Sequence, residues 1–229
     1  MCDADPIDLY AYHILAYDGA GLVGCVRVYP LVSNGLPCLA EKVLGRQTFS
    51  EMLCHLGAKR REIVEIGRWI VEPAYRASGR PGIQLAAASA ALAITLGNGL
   101  LFQRTIIVCS AGTRDRQDLM LARIGLSTVP AAEAIKCDEF KDYVRVMYCL
   151  NPQQLNPRFL RLMVKMAKTI GLTQAFSEIN QTLTEGDFED TDTSAGKLPA
   201  EQSASFRVGP QRQKWRRLPK SHRLLTRTF

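Results

Sequence analysis

Arg61 to Val71 (REIVEIGRWIV) leads directly into PAYRASGRPG, and from Pro81 to Gln103 there is not a single charged residue. This succession constrains the fold more than any other part of the chain. The β-branched residues of the first part favour a strand, which Pro73 closes. Alanine dominates the uncharged part. A membrane-spanning helix needs about 20 mostly apolar residues, but Gln84, Ser89 and Thr95 interrupt this segment and Gly97-Asn98-Gly99 ends a helix near Gly97. The segment therefore predicts a helix packed inside a core, its small side chains allowing close approach to a sheet, with Pro81 in its first turn where the missing N–H costs nothing.

The remaining elements follow from turn chemistry and periodicity. Tyr10 to Tyr17 and Leu22 to Tyr29 flank Asp18-Gly19-Ala20-Gly21 and form a predicted β-hairpin. Leu39 to Leu56 contains short helical character. Arg104 to Ser110 (RTIIVCS) is a buried-type strand, Arg114 to Arg123 an amphipathic helix stopped by Gly125, and Tyr143 to Leu150 a last strand. The order β-β-(α)-β-α-β-α-β predicts an α/β class with a mixed sheet over residues 1–150. Residues 151–184 form a helical extension, in which Pro157 to Leu183 carries an apolar stripe through Phe159, Leu162, Met163, Met166 and Ile170. Residues 185–229 are acidic, then polar, then basic, and are expected to be a disordered linker and tail.

Charge separates the tail from the body. Arg207 to Phe229 holds 8 of the 29 Lys and Arg and no acidic residue, whereas all 22 Asp and Glu precede it. The body is thus near neutral, and the excess of +7 belongs to the tail. The seven cysteines lack CxxC spacing and no secretory leader is recognisable before them, so reduced thiols in a cytoplasm are expected, with no metal site.

Acyl transfer from a thioester to an amine needs a proton acceptor, donors for the carbonyl oxygen and a seat for the carrier's phosphates. Each has a candidate. Glu65 is a candidate base, although a strand carboxylate paired with an arginine has the same pattern. On a regular strand Glu65 and Arg68 would face opposite sides. Gly67 between them marks a candidate β-bulge, which adds a residue and frees a backbone N–H for a thioester carbonyl. Trp69 is either core or a binding wall. In the loop from Arg76 to Gly82, Arg76, Gly79, Arg80 and Gly82 at a helix start suit a phosphate, or form an ordinary turn with solvated arginines. Ser110 ends the next strand near the expected reacting carbonyl.

These residues resemble the Gcn5-related N-acyltransferase (GNAT) superfamily, and within it the autoinducer synthases and N-acyl amino acid synthases. The resemblance spans Asp5 to Tyr148. The superfamily loop Q/R-x-x-G-x-G/A is similar to Arg76-Ala77-Ser78-Gly79-Arg80-Pro81, with the last glycine displaced to Gly82. The branch's E-x-S-R-F/W is similar to Glu65-Ile66-Gly67-Arg68-Trp69, with glycine in the serine place, and its R-L-x-P is similar to Arg27-Val28-Tyr29-Pro30. Arg123-Ile124-Gly125-Leu126 looks like its R-x-G-F/W. The resemblance implies a GNAT-like fold, Glu65 as general base, and Asp5, Asp8, Arg27 and Arg68 as a cluster that orders the acceptor beside Trp69. The branch normally begins with helices that close over the acceptor, and this chain starts almost at the acidic pair.

The expected function is that of a cytoplasmic bacterial N-acyltransferase with no permanently bound cofactor. It would move an acyl group from acyl carrier protein or acyl-coenzyme A to a small amino-acid-like amine, S-adenosylmethionine and amino acids included. Arg76, Arg80 and Arg104 would steer an acidic carrier. Two alternatives stay open. One is an acetyl-coenzyme A-dependent acetyltransferase of a protein or polyamine. The other is a non-catalytic protein attached to nucleic acid or an anionic membrane by Arg207 to Phe229, a run that is equally explained as a solvated tail.

Overall fold

The computed structural model describes residues 5–19, 21–31, 35–76, 78–99, 104–129, 133–138, 140–172 and 205–210. Its strands are β1 (Tyr12–Asp18), β2 (Gly21–Pro30), β3 (Ile63–Val71), β4 (Ile106–Gly112), β5 (Ser127–Thr128), β6 (Ile135–Cys137), β7 (Asp142–Cys149) and β8 (Ser205–Pro210). They form one sheet in the order β5-β7-β4-β3-β2-β1-β8, with β6 also on β7. Only β3 and β4 run parallel among the described pairs. The helices are α1 (Leu39–Leu44), α2 (Arg46–His55), α3 (Pro73–Arg76), α4 (Arg80–Gly99), α5 (Gln117–Arg123) and α6 (Pro157–Thr169).

The alanine-rich segment is α4, the crossover between the two parallel strands. It lies against Ile14, Val26, Val28, Val64 and Ile66 on one face of the sheet. Close packing leaves no room for a side chain at Gly24 of β2: a Cβ there would stand 2.6 Å from the Ile70 carbonyl oxygen and 2.9 Å from Leu85 Cδ1. Helix α6 covers α4 from outside with Phe159, Leu160, Met163 and Met166 buried. No helix among the described residues is long and apolar enough to cross a membrane. The opposite face of the sheet is covered over β3, β4 and β7, where Tyr29, Ile63, Ile106, Val108 and Val146 meet Phe49 and Met52 of α2.

The hairpin, the central strand, the buried helix and the mixed sheet follow the sequence expectations. Leu39 to Leu56 is two helices rather than one stretch, because Gly45 at φ +79° turns the chain between them. The short elements α3, β5 and β6 carry too few residues for a periodic signal. One expectation is corrected. Composition predicts disorder from residue 185 onward, but within it Ser205–Pro210 is a strand that extends the sheet by pairing with β1. A polar, glycine-containing stretch can still supply backbone N–H and C=O groups to an edge, and composition does not report those. Residues 173–204 and 211–229, including the end of the predicted helix and most of the basic run, lie outside the described residues.

Candidate active site

The central strand is broken where Gly67 predicts. Between β2 and β3, Arg27 pairs with Gly67 but Cys25 pairs with Ile70, so β3 holds one surplus residue across this interval. Arg68 takes up the surplus at φ +48°, a left-handed conformation uncommon outside glycine. The bulge shifts the alternation by one, and Arg68 meets Asp5 on the side of the sheet where Arg27 also meets Asp5. Strands β3 and β4 stay paired from Ile63/Ile106 to Ile66/Cys109, and there the pairing ends.

Beyond that point the strands enclose a cleft of about 420 Å³, within the roughly 300–1,000 Å³ of ordinary small-molecule sites. Gly67, Arg68 and Trp69 line it from β3, and Cys109 and Ser110 from β4. Its depth is apolar, with Leu121 and Ile124 from the α5 region and Leu155 and Phe159 from the α6 region. Gly125 permits this wall. It has φ +107°, and a Cβ there would lie 2.9 Å from the Leu155 Cα. Two polar atoms face a largely apolar surrounding: Trp69 Nε1 and Ser110 Oγ are both buried without a hydrogen-bond partner among the described residues. A buried unpaired donor is costly, and a ligand oxygen entering the cleft would relieve that cost.

A second cleft, of about 350 Å³, shares Trp69, Ile70, Asp115 and Gln117 with the first. It reaches Arg76, Gly79 and Gly82 of the predicted phosphate loop. Arg76 is held by donating Nε to the Val71 carbonyl at 2.9 Å, and Gly79 turns the chain into α4 at φ +63°. Two expected contacts are corrected. Arg80 is exposed on the first turn of α4 and lines neither cleft, because the helix starts there and carries the side chain outward. Arg104 precedes β4 at the end remote from the cleft and donates to the Leu56 carbonyl at 3.2 Å.

Glu65 is not where a base for this cleft would stand. Its side chain is 1% exposed, and it does not line either cleft. The carboxylate accepts from the Ala40 amide at 2.8 Å and the Leu39 amide at 3.1 Å, one to each oxygen. These are orphan donors at the start of α1, so Glu65 holds that helix onto the sheet. Burial pushes its carboxyl above the ordinary range, against the opposing pull of the two amides and Arg27. Strand context and the family resemblance suggest a base, but neither reports what covers that face of the strand, and here it is α1.

Asp5, Asp8, Arg27 and Arg68 do come together. Arg27, 2% exposed, donates Nη1 to Asp5 at 2.7 Å and to Asp8 at 2.9 Å. Arg68 donates to Asp5 at 3.3 Å and lies 4.0 Å from Asp8. Burial alone would raise the Asp5 carboxyl, but Arg27 and the Ile7 amide hold it below its usual value. Arg27 and Asp5 are therefore the braced interior of the cluster, while half-exposed Arg68 joins it to the cleft. Asp115 and Gln117, which line both clefts, carried no sequence signal beyond a polar loop after β4.

A crossover helix behind a bulged strand, a split parallel pair and an anion-suited turn fit the family comparison. Residues 1–85 match the acetyltransferase (GNAT) domain family. That match covers the acidic pair, the hairpin, the bulged strand and the turn into α4. No curated protein sequence matches the chain. Among solved structures, the chain is similar to FeeM, an N-acyl amino acid synthase from uncultured soil microbes, at 14% identity, over 63% of this chain and 75% of that one, with TM-score 0.44. It is similar to BjaI, a CoA-dependent acyl-homoserine lactone synthase, at 17% identity over 75% and 70%, TM-score 0.46. It is also similar to a chimera of spermidine N-acetyltransferase SpeG from Vibrio cholerae and hSSAT, at 14% identity over 64% and 70%, TM-score 0.34.

Proposed function

We propose that this chain is a GNAT-type N-acyltransferase that moves an acyl group longer than acetyl from coenzyme A or acyl carrier protein to a small amino-acid-like amine. The observation that carries this reading is the shape of the split between β3 and β4: a polar mouth at Trp69 and Ser110 over an apolar depth walled by α5 and α6. An acyl chain fits the depth, the thioester carbonyl accepts from the mouth and the bulge, and the carrier's phosphates lie along Arg76, Gly79 and Gly82. Such donors place the reaction in the cytoplasm.

The acceptor enters over Arg68, whose guanidinium suits a carboxylate. A polyamine acceptor is less well matched, because Asp5 and Asp8 already serve Arg27. The test is thiol release by the full chain with coenzyme A thioesters from acetyl to long-chain, with acyl carrier protein donors in parallel and products identified by mass spectrometry. Amides of amino acids or S-adenosylmethionine with a long acyl group are expected. Acetylation of polyamines alone would replace this reading with the acetyltransferase one.

A further inference from the structure

With Glu65 sealed beneath α1, the amine still has to lose a proton before it attacks. We propose that His13 takes it, with Asp8 fixing the ring; this rests on the acyltransfer reading above. His13 sits on β1 directly opposite Arg27, so its side chain shares the face that carries the cluster. Its neighbours Ile14 and Ala16 on the other face are buried under α4. His13 Nε2 lies 3.5 Å from Asp8 Oδ1, and 28% of its side chain is exposed.

The charged and titratable groups facing the ring are Asp8 from the turn before β1, Arg27 and Cys25 from β2, and Arg68 from β3. On the outer side β8 brings Arg207 into register with Leu15, two residues along. Burial lowers the imidazole below its ordinary 6.5, Arg27 and Arg68 lower it further, and Asp8 opposes them. The ring is then neutral at physiological pH, which a proton acceptor requires. With Nε2–H turned to Asp8, Nδ1 is the nitrogen left to receive a proton.

The step balances without a further reagent. The acceptor's ammonium gives one proton to His13 Nδ1, and the amine nitrogen attacks the thioester carbonyl. The C–N bond forms, the C–S bond breaks, and the proton shed by nitrogen as the amide forms goes to the leaving thiolate. His13 releases its proton to solvent. His13 lines neither cleft itself; Arg68, which bonds Asp5 and also lines the first cleft, joins the two, so an amine held over Arg68 would lie between the half-buried ring and the thioester.

The test uses the full chain, decanoyl-coenzyme A, and a mixture of amino acids with S-adenosylmethionine, with kcat followed across pH. Wild type should lose activity through one ionisation below pH 6.5, well separated from amine acceptors that ionise near pH 8 or above. In His13→Gln that limb should vanish and kcat fall about 100-fold with KM unchanged. In Asp8→Asn the limb should move to lower pH, because the one group that raises His13 is gone. The same limb and kcat in His13→Gln, or a limb unmoved in Asp8→Asn, would overturn the role of His13 alone. No acylated product from wild type with any donor would overturn both this role and the acyltransfer reading.

Discussion

Glu65 and Asp5 are two buried carboxylates on either side of the same arginine, and the molecule treats them in opposite ways. Glu65 is satisfied by two backbone amides of α1, and burial raises its carboxyl. Asp5 is satisfied by two guanidiniums and one amide, and its carboxyl is lowered. Partial charges on peptide groups hold a helix in place without fully offsetting the loss of water, whereas a full opposite charge does offset it. The first arrangement builds a core, and the second builds a charged cluster that reaches the cleft through Arg68.

The largest effect that sharpens this contrast is removal of the shared partner. Arg27→Met leaves buried charges uncompensated, and about 3–5 kcal/mol of stability should be lost in urea unfolding. A loss below about 1 kcal/mol would mean that Asp5 and Asp8 find other partners.

Glu65→Gln comes next. One amide of α1 then faces an NH₂ group instead of an oxygen, and about 1.5–3 kcal/mol should go, with turnover of the folded fraction kept. The sequence alone places Glu65 as the base and expects the reverse, an intact fold with turnover lost. Thiol release alongside thermal unfolding separates the two outcomes.

The pH dependence should split in sign. Asp5 has a folded value below its ordinary 3.8, so its contribution is present above that value and is lost as pH falls through the folded one. Glu65 has a folded value above 4.5, so its contribution is present below 4.5 and is lost as pH rises through the folded one. Stability measured across pH for Asp5→Asn and Glu65→Gln against wild type should therefore give difference curves of opposite slope, each at most about 1.4 kcal/mol per pH unit. Curves of the same sign would dissolve the distinction.

The smallest effect concerns the phosphate loop. Arg76→Ala should weaken donor binding by no more than about fivefold, as for other exposed charges, while Arg80→Ala should leave it unchanged. Calorimetry with a non-hydrolysable coenzyme A derivative checks both, and equal losses would bring Arg80 back into the site.

What could be read from the residues was what side chains and glycine encode. Gly67 marked the bulge, Arg76 and Gly79 marked the turn, and the uncharged alanines marked a helix under cover. The acidic pair and its arginines were visible as a set through the family resemblance, which implies them together. The partners of Glu65 were not, since Leu39 and Ala40 act through peptide N–H groups that every residue but proline possesses. β8 escaped for the same reason. His13 was hidden differently: a single polar residue in YHILAY looks like any outward strand position until the opposing strand puts Arg27 across from it.

The surplus residue in β3 makes the placing of Arg68 an arithmetic property of the chain as much as a chemical one. Substitutions around Arg68 would alter what the opening grips, yet it would remain open. Excising one codon there would restore an unbroken register between β2 and β3 and turn the Arg68 position to the other face of the sheet. The outcome would be a more regular sheet whose cluster had lost its link to the cleft.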